Sequence, residues 1–240
     1  MKDVVFYGGD DLIRTLSTFT LILPVLAIAL KRSMWHPTMV ALLIYYIQFF
    51  FFSLITNGFL ELPGTDESLV SFSHIIFDLP LVLLFMQYFT NDASVKTKIR
   101  YGLLAWVAMG ILITAVNGLS GRTITLLMGP GLLLADIISM AFFLKYIKAG
   151  IHHKSETGKA FMAGSLVFLY GSYSLMFFIQ YILHAASDLE IYFLFQVSTI
   201  VSSLLMTIGI LLNRKPPAPV SVEKTNRTAA QQNWEDFQFK

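Results

Sequence analysis

Of the 240 residues, 55% are hydrophobic and 13% are charged, where an ordinary soluble domain carries roughly a quarter charged. The mean hydropathy is +0.66, and once the long apolar runs are set aside too little chain remains for a soluble catalytic or DNA-binding domain. A formal net charge of +2 is a sum over two membrane faces and implies no nucleic-acid partner, while the absence of cysteine excludes disulfides, thiol catalysis, Cys-ligated zinc and iron–sulfur clusters.

The apolar residues fall into seven runs, at residues 12–30, 38–56, 69–89, 101–116, 124–147, 160–183 and 191–212. Most are near the ~20 residues that a helix rising about 1.5 Å per residue needs to cross roughly 30 Å of hydrocarbon. The expected fold is therefore all-α: a polytopic membrane bundle of seven transmembrane helices in residues 1–213, with a lipid bilayer as its first partner. Ahead of the first run, Asp3, Asp10 and Asp11 outnumber Lys2, which is the wrong charge pattern for a cleaved signal peptide, so this helix is expected to be retained. Lys31 and Arg32 follow it. The second run carries Tyr45 and Gln48 and leads to Glu61, Asp66 and Glu67.

The third run contains His74, Asp78 and Pro80 and is followed by Lys96, Lys98 and Arg100. The fourth is apolar, the fifth carries Asp136, and Lys145, Lys148, Lys154 and Lys159 surround the next loop. On the sixth run Tyr170, Tyr173, Phe177, Tyr181 and His184 recur at helical steps, as do Tyr192, Gln196, Thr199, Ser203 and Met206 on the seventh. Gly102, Gly110, Ala160, Gly164 and Gly171 read as close-packing positions between helices. Arg214 and Lys215 then open a polar, Pro-containing tail, residues 214–240, expected to be disordered and cytoplasmic. Trp234 to Phe239 puts three aromatics into its last few residues, which suits either a solvated end or a peptide that docks on a partner protein.

Lysine and arginine are retained on the cytoplasmic side, and here alternate loops are cationic and acidic. The N-terminus is therefore expected outside and the C-terminus inside, in a plasma or inner membrane. The segment Asp78-Leu79-Pro80-Leu81-Val82-Leu83-Leu84 resembles the third helix of microbial rhodopsins, and seven helices with the N-terminus out resemble rhodopsins and G-protein-coupled receptors in outline. Such a resemblance implies a seven-helix receptor fold. The retinal-bearing lysine of microbial rhodopsins has no counterpart between Ile191 and Leu212, so the likeness covers one helix and a topology, and no cofactor is expected.

Ionisable groups deep in a bilayer are costly and usually face the bundle interior, where they serve function. Asp78 and Asp136 lie at similar depth, about 13–18 Å below the outer boundary at 1.5 Å per residue. His74 stands four residues before Asp78, close enough along a helix to share a hydrogen bond. With Gln48, Tyr173, Gln180, His184 and Gln196 they make up the candidate ligand- or proton-binding residues, all at mid-membrane or toward the acidic loops. A three-histidine zinc site is excluded, because only His74 and His184 fall within spans. The expected function is binding of a small ligand or proton from the extracytoplasmic side, in a receptor-like sensor or a transporter. Two other readings stay open: an intramembrane lipid hydrolase using His74 and Asp78 on water, and a scaffold subunit of a membrane complex whose polar residues are interhelical hydrogen bonds.

Overall fold

The computed structural model describes residues 8–31, 37–61, 67–152, 156–183 and 188–213. His184 and the tail with its Trp234 to Phe239 cluster lie outside the described residues. Within them the chain is helical without a strand, and seven helical segments are long and apolar enough to cross a membrane. Leu12, Phe77, Leu104, Ile111, Leu133, Ile137 and Ile151 are each more than half exposed on the outside of the bundle. A surface that apolar suits hydrocarbon rather than water. The protein is an integral, multi-pass membrane protein.

The first span is built of two helices, α1 (Gly8–Thr20) and α2 (Ile22–Leu30). Pro24 causes the break at Leu21, since it has no N–H for the Thr20 carbonyl and its ring crowds that group. α3 (Pro37–Thr56), α4 (Glu67–Met86), α5 (Ala93–Asn117), α6 (Gly121–His152), α7 (Thr157–Phe177) and α8 (Asp188–Leu212) follow. Pro80 and Pro130 stand inside α4 and α6 and free a carbonyl one turn back without ending either helix. Gly58 and Gly118, with φ of 75° and 68°, turn the chain after α3 and α5 at one end of the bundle, a backbone conformation that favours glycine. This is called the Asn57 end, and the opposite one the Asn213 end.

Most helices begin earlier than the apolar runs, and at α5 and α6 a side chain accounts for the start. α5 starts at Ala93 rather than Tyr101 because the Asp92 carboxylate caps it, accepting from the Ser94 N–H at 2.8 Å. The cationic turn through Lys96, Lys98 and Arg100 is thus helical although not apolar. α6 starts at Gly121 rather than Ile124, with Ser120 accepting from the Thr123 N–H at 3.4 Å.

α7 packs most extensively, on α6 and on α8. Its crossing with α8 rests on Gly158 and Gly209: a Cβ on Gly158 would lie 2.5 Å from the Asn213 nitrogen, and one on Gly209 2.7 Å from the Met162 nitrogen. Ser165 Oγ donates to the Ser202 carbonyl at 2.8 Å, and Ser202 Oγ returns a bond to the Ser165 carbonyl at 3.2 Å. Of the glycines expected at contacts, Gly164 lies against Phe143 and Gly171 against Asp136, but a Cβ on Gly102 or Gly110 would meet nothing within 4 Å. Both sit on α5, the least enclosed span, and Gly110, although buried, borders a cavity shared with Phe72 and Ile76 of α4.

Lys31 does more than follow the first span. Its Nζ donates to the carbonyls of Ile210, Leu211 and Asn213 at 2.7, 2.7 and 2.6 Å, capping the C-terminal end of α8, where the last carbonyls have no partner within the helix. This joins the first span to the last. Lys31→Met should therefore lower stability by about 1–2 kcal/mol, measured as thermal unfolding in detergent; an unchanged melting temperature would show the clamp to be dispensable.

Candidate functional site

A cavity of about 240 Å³ lies in the middle of the bundle, walled by α3 to α8. It adjoins a second of about 380 Å³ nearer the Asn57 end, and Phe52, Met128, Tyr173 and Phe195 line both. These four residues are their common wall, and the two adjoining cavities are referred to together as the cleft. Its mouth lies where Thr56 stands at the end of α3 and Gln180 and Tyr181 stand just past α7. α7 continues there as a π-helix, Phe178–Leu183, a distortion often found at functional positions.

Asp78 lies in the inner part, about halfway along α4. Tyr170 of α7 donates to its Oδ2 at 2.9 Å, and Tyr45 of α3 adjoins the same group. His74 lines the cleft one turn nearer the mouth. Its ring is stacked on Phe52, with centroids 4.0 Å apart and planes at 9°, and packs against Phe49 at 5.3 Å. Nδ1 is buried without a hydrogen-bond partner among the described residues. The bond from His74 to Asp78 that their spacing allows is not made, because the aromatic stack holds the imidazole and Tyr170 takes the carboxylate. Tyr173 stacks on Phe195 at 4.8 Å and shares a 2.8 Å hydrogen bond with Thr199.

The other candidate residues disperse. Gln180 lines the mouth. Gln48 donates to the His74 carbonyl at 3.3 Å, bracing α4 from behind the cleft. Asp136 is not part of it: on α6 it falls one turn beyond Leu132, a cleft residue, and lies beside Gly171 with its Oδ1 unpartnered among the described residues. Asp78 and Asp136 thus meet successive residues of the same turn of α7, Tyr170 and Gly171, from different sides. Similar depth did not make them neighbours, since depth says nothing of the angle around a helix.

Gln196 belongs to a separate, buried polar network near the Asn57 end. Asn57 is its hub, donating to Thr18 at 2.7 Å and Ser53 at 2.9 Å and accepting from Gln196 at 3.3 Å and from the Tyr192 hydroxyl. Ser17 completes it by donating to Gln196, and the Arg14 guanidinium stands over the Tyr192 ring at 5.6 Å. Asn57 follows the apolar run rather than lying within it, yet its spacing four residues after Ser53 is a usable signal. The cleft walls Phe52 and Phe195 were legible the same way, from Gln48/Phe52/Thr56 and Phe195/Thr199. Trp106 of α5 was not: its ring reaches Gly131 of α6, where a Cβ would come within 2.7 Å.

Fold and site together define a multi-pass helical membrane protein with an aromatic cleft that ends at a carboxylate. No family model matches the chain, and neither does any curated protein or solved structure. Chemically, the cleft offers a mostly apolar, aromatic lining with few polar groups, the pattern of a binding pocket. Among the described residues no cluster of three or more His, Asp or Glu could hold a metal ion.

Proposed function

We propose that the protein binds a small ligand in this cleft from the extracytoplasmic side, as a receptor-like sensor or a transporter in a plasma or inner membrane. The observation that carries this reading is the pair of adjoining cavities between the Asn57 end and Asp78. The direction comes from charge: Lys31, Lys96, Lys98, Arg100, Lys145, Lys148 and Lys159 all stand toward the Asn213 end, which cation retention puts in the cytoplasm. A sensor would pass its state to a partner, and the tail is the segment available for that. Hydrolysis has less support, because His74 is stacked rather than poised beside Asp78 as a general base requires.

A chain without cysteine lends itself to the test. Thr56→Cys should react with a membrane-impermeant maleimide from the side opposite Lys96→Cys, and Met128→Cys, inside the cleft, with a small charged thiol reagent added on the Thr56 side. If Met128→Cys stays unreactive in detergent as well as in the membrane while Thr56→Cys labels, the cleft is sealed and the reading fails. Asp78→Asn should leave stability within about 1 kcal/mol of the parent or raise it, because the amide oxygen still accepts from Tyr170 and a costly buried carboxylate is gone. A loss of several kcal/mol in detergent melting would instead make Asp78 a structural residue.

A further inference from the structure

We propose that the ligand is an organic cation: a compact ammonium group seated against Asp78, on an apolar or aromatic body lying in the outer part of the cleft. This rests on the reading of the cleft as a binding site and adds the chemistry of what it takes.

The argument begins with a carboxylate short of partners. An ionised Asp offers about four acceptor positions, yet the hydrogen bond that reaches Asp78 within the described residues comes from Tyr170. Among the described residues, no lysine or arginine lines either part of the cleft. Arg14, the cation at this end of α1, is engaged over the Tyr192 ring. A charge that deep is tolerated when something pairs with it, and the counter-charge is left for the ligand to bring.

The walls point the same way. Phe52, Trp106, Tyr173 and Phe195 surround the path to Asp78, and aromatic faces attract ammonium groups while rewarding loss of water. The His74 ring, stacked flat on Phe52, closes that side with a further π surface. An anion would meet the carboxylate and electron-rich rings, with no cation among the described lining residues to receive it. The inner part, at about 240 Å³, suits a head group, and the outer part, at about 380 Å³, suits the body attached to it.

Ammonium groups come either free in solution or on lipid head groups, and the experiment separates the sources. Full-length Met128→Cys protein is purified into a non-ionic detergent and its labelling rate followed with increasing phenethylammonium or its neutral analogue, phenethyl alcohol. The expected result is protection by the ammonium at concentrations at least about tenfold lower than the alcohol requires. Asp78→Asn in the same background should erase the difference. In nanodiscs, protection in phosphatidylcholine without added amine, absent in phosphatidylglycerol, would support the proposal with the lipid head group as the source.

Equal protection by ammonium and alcohol overturns the proposal while the cleft remains a binding site for neutral ligands. Unreactive Met128→Cys in both detergent and nanodiscs overturns the binding-site reading and this inference with it. The charge comparison needs no change at Asp78, so it decides the matter even if Asp78→Asn folds poorly.

Discussion

Replacing Gly158 by leucine is expected to leave little folded protein. A Cβ at that position would lie 2.5 Å from the nitrogen and 2.6 Å from the Cα of Asn213, and 2.8 Å from the Gly209 carbonyl oxygen. These are backbone atoms of α8 and its C-cap, with no rotamer to relieve the overlap. Side-chain overpacking already costs about 1–3 kcal/mol, so forcing two backbones apart should cost more than about 3 kcal/mol. Displacing Asn213 would also disturb the carbonyls that Lys31 holds and the 2.5 Å bond from Asn213 to Tyr88. The measurement is the yield of monodisperse protein and its melting temperature in detergent. Gly102→Leu is the control: nothing lies within 4 Å of its Cβ, and its effect should stay within about 0.5 kcal/mol. A Gly158→Leu protein that melts like the parent would mean that α7 and α8 do not pass this close.

What was legible beforehand follows from which physics is local. The seven spans were, because hydrocarbon imposes length and apolarity on each helix separately, and the misplaced starts of α5 and α6 fell where caps rather than hydropathy set the boundary. Facing was legible only within one helix. Spacing placed His74 and Asp78 on one side of α4 and both line the cleft, but whether a neighbouring helix brings a better partner is a property of the pair, and Tyr170 is that partner. Gly158 and Gly209 illustrate the same limit, since a glycine looks alike in sequence whether another backbone presses on it or, as at Gly102, none does. Asp136 and Gln196 both carry a cost in the bilayer, but Asp136 is only half-buried, with its Oδ1 beside Gly171 and unpartnered among the described residues, whereas Gln196 meets that cost within a hydrogen-bonded network.

That network supplies the second large effect. Asn57→Leu keeps roughly the size of the side chain and removes every hydrogen bond it makes, so what is lost is the hub: Thr18 and Ser53 lose a donor, and Tyr192 and Gln196 lose an acceptor. Thr18 is fully enclosed and Gln196 is 3% exposed, so water cannot easily take Asn57's place. Single hydrogen bonds between membrane helices average about 0.6 kcal/mol and reach about 1.7, and leaving buried partners unsatisfied adds to the loss. With four bonds gone, the expected loss is about 2–4 kcal/mol in detergent melting. Cooperative membership predicts a further sign: Gln196→Leu added to Asn57→Leu should cost clearly less than the sum of the two, because the first substitution already breaks the bond the second removes. Additive costs, or an Asn57→Leu loss below about 1 kcal/mol, would reduce the network to separate, replaceable contacts. Tyr192 lines the outer part of the cleft while bonding to Asn57, so Asn57→Leu should also change the rate at which Thr56→Cys labels, tying the packing of α1, α3 and α8 to access at the mouth.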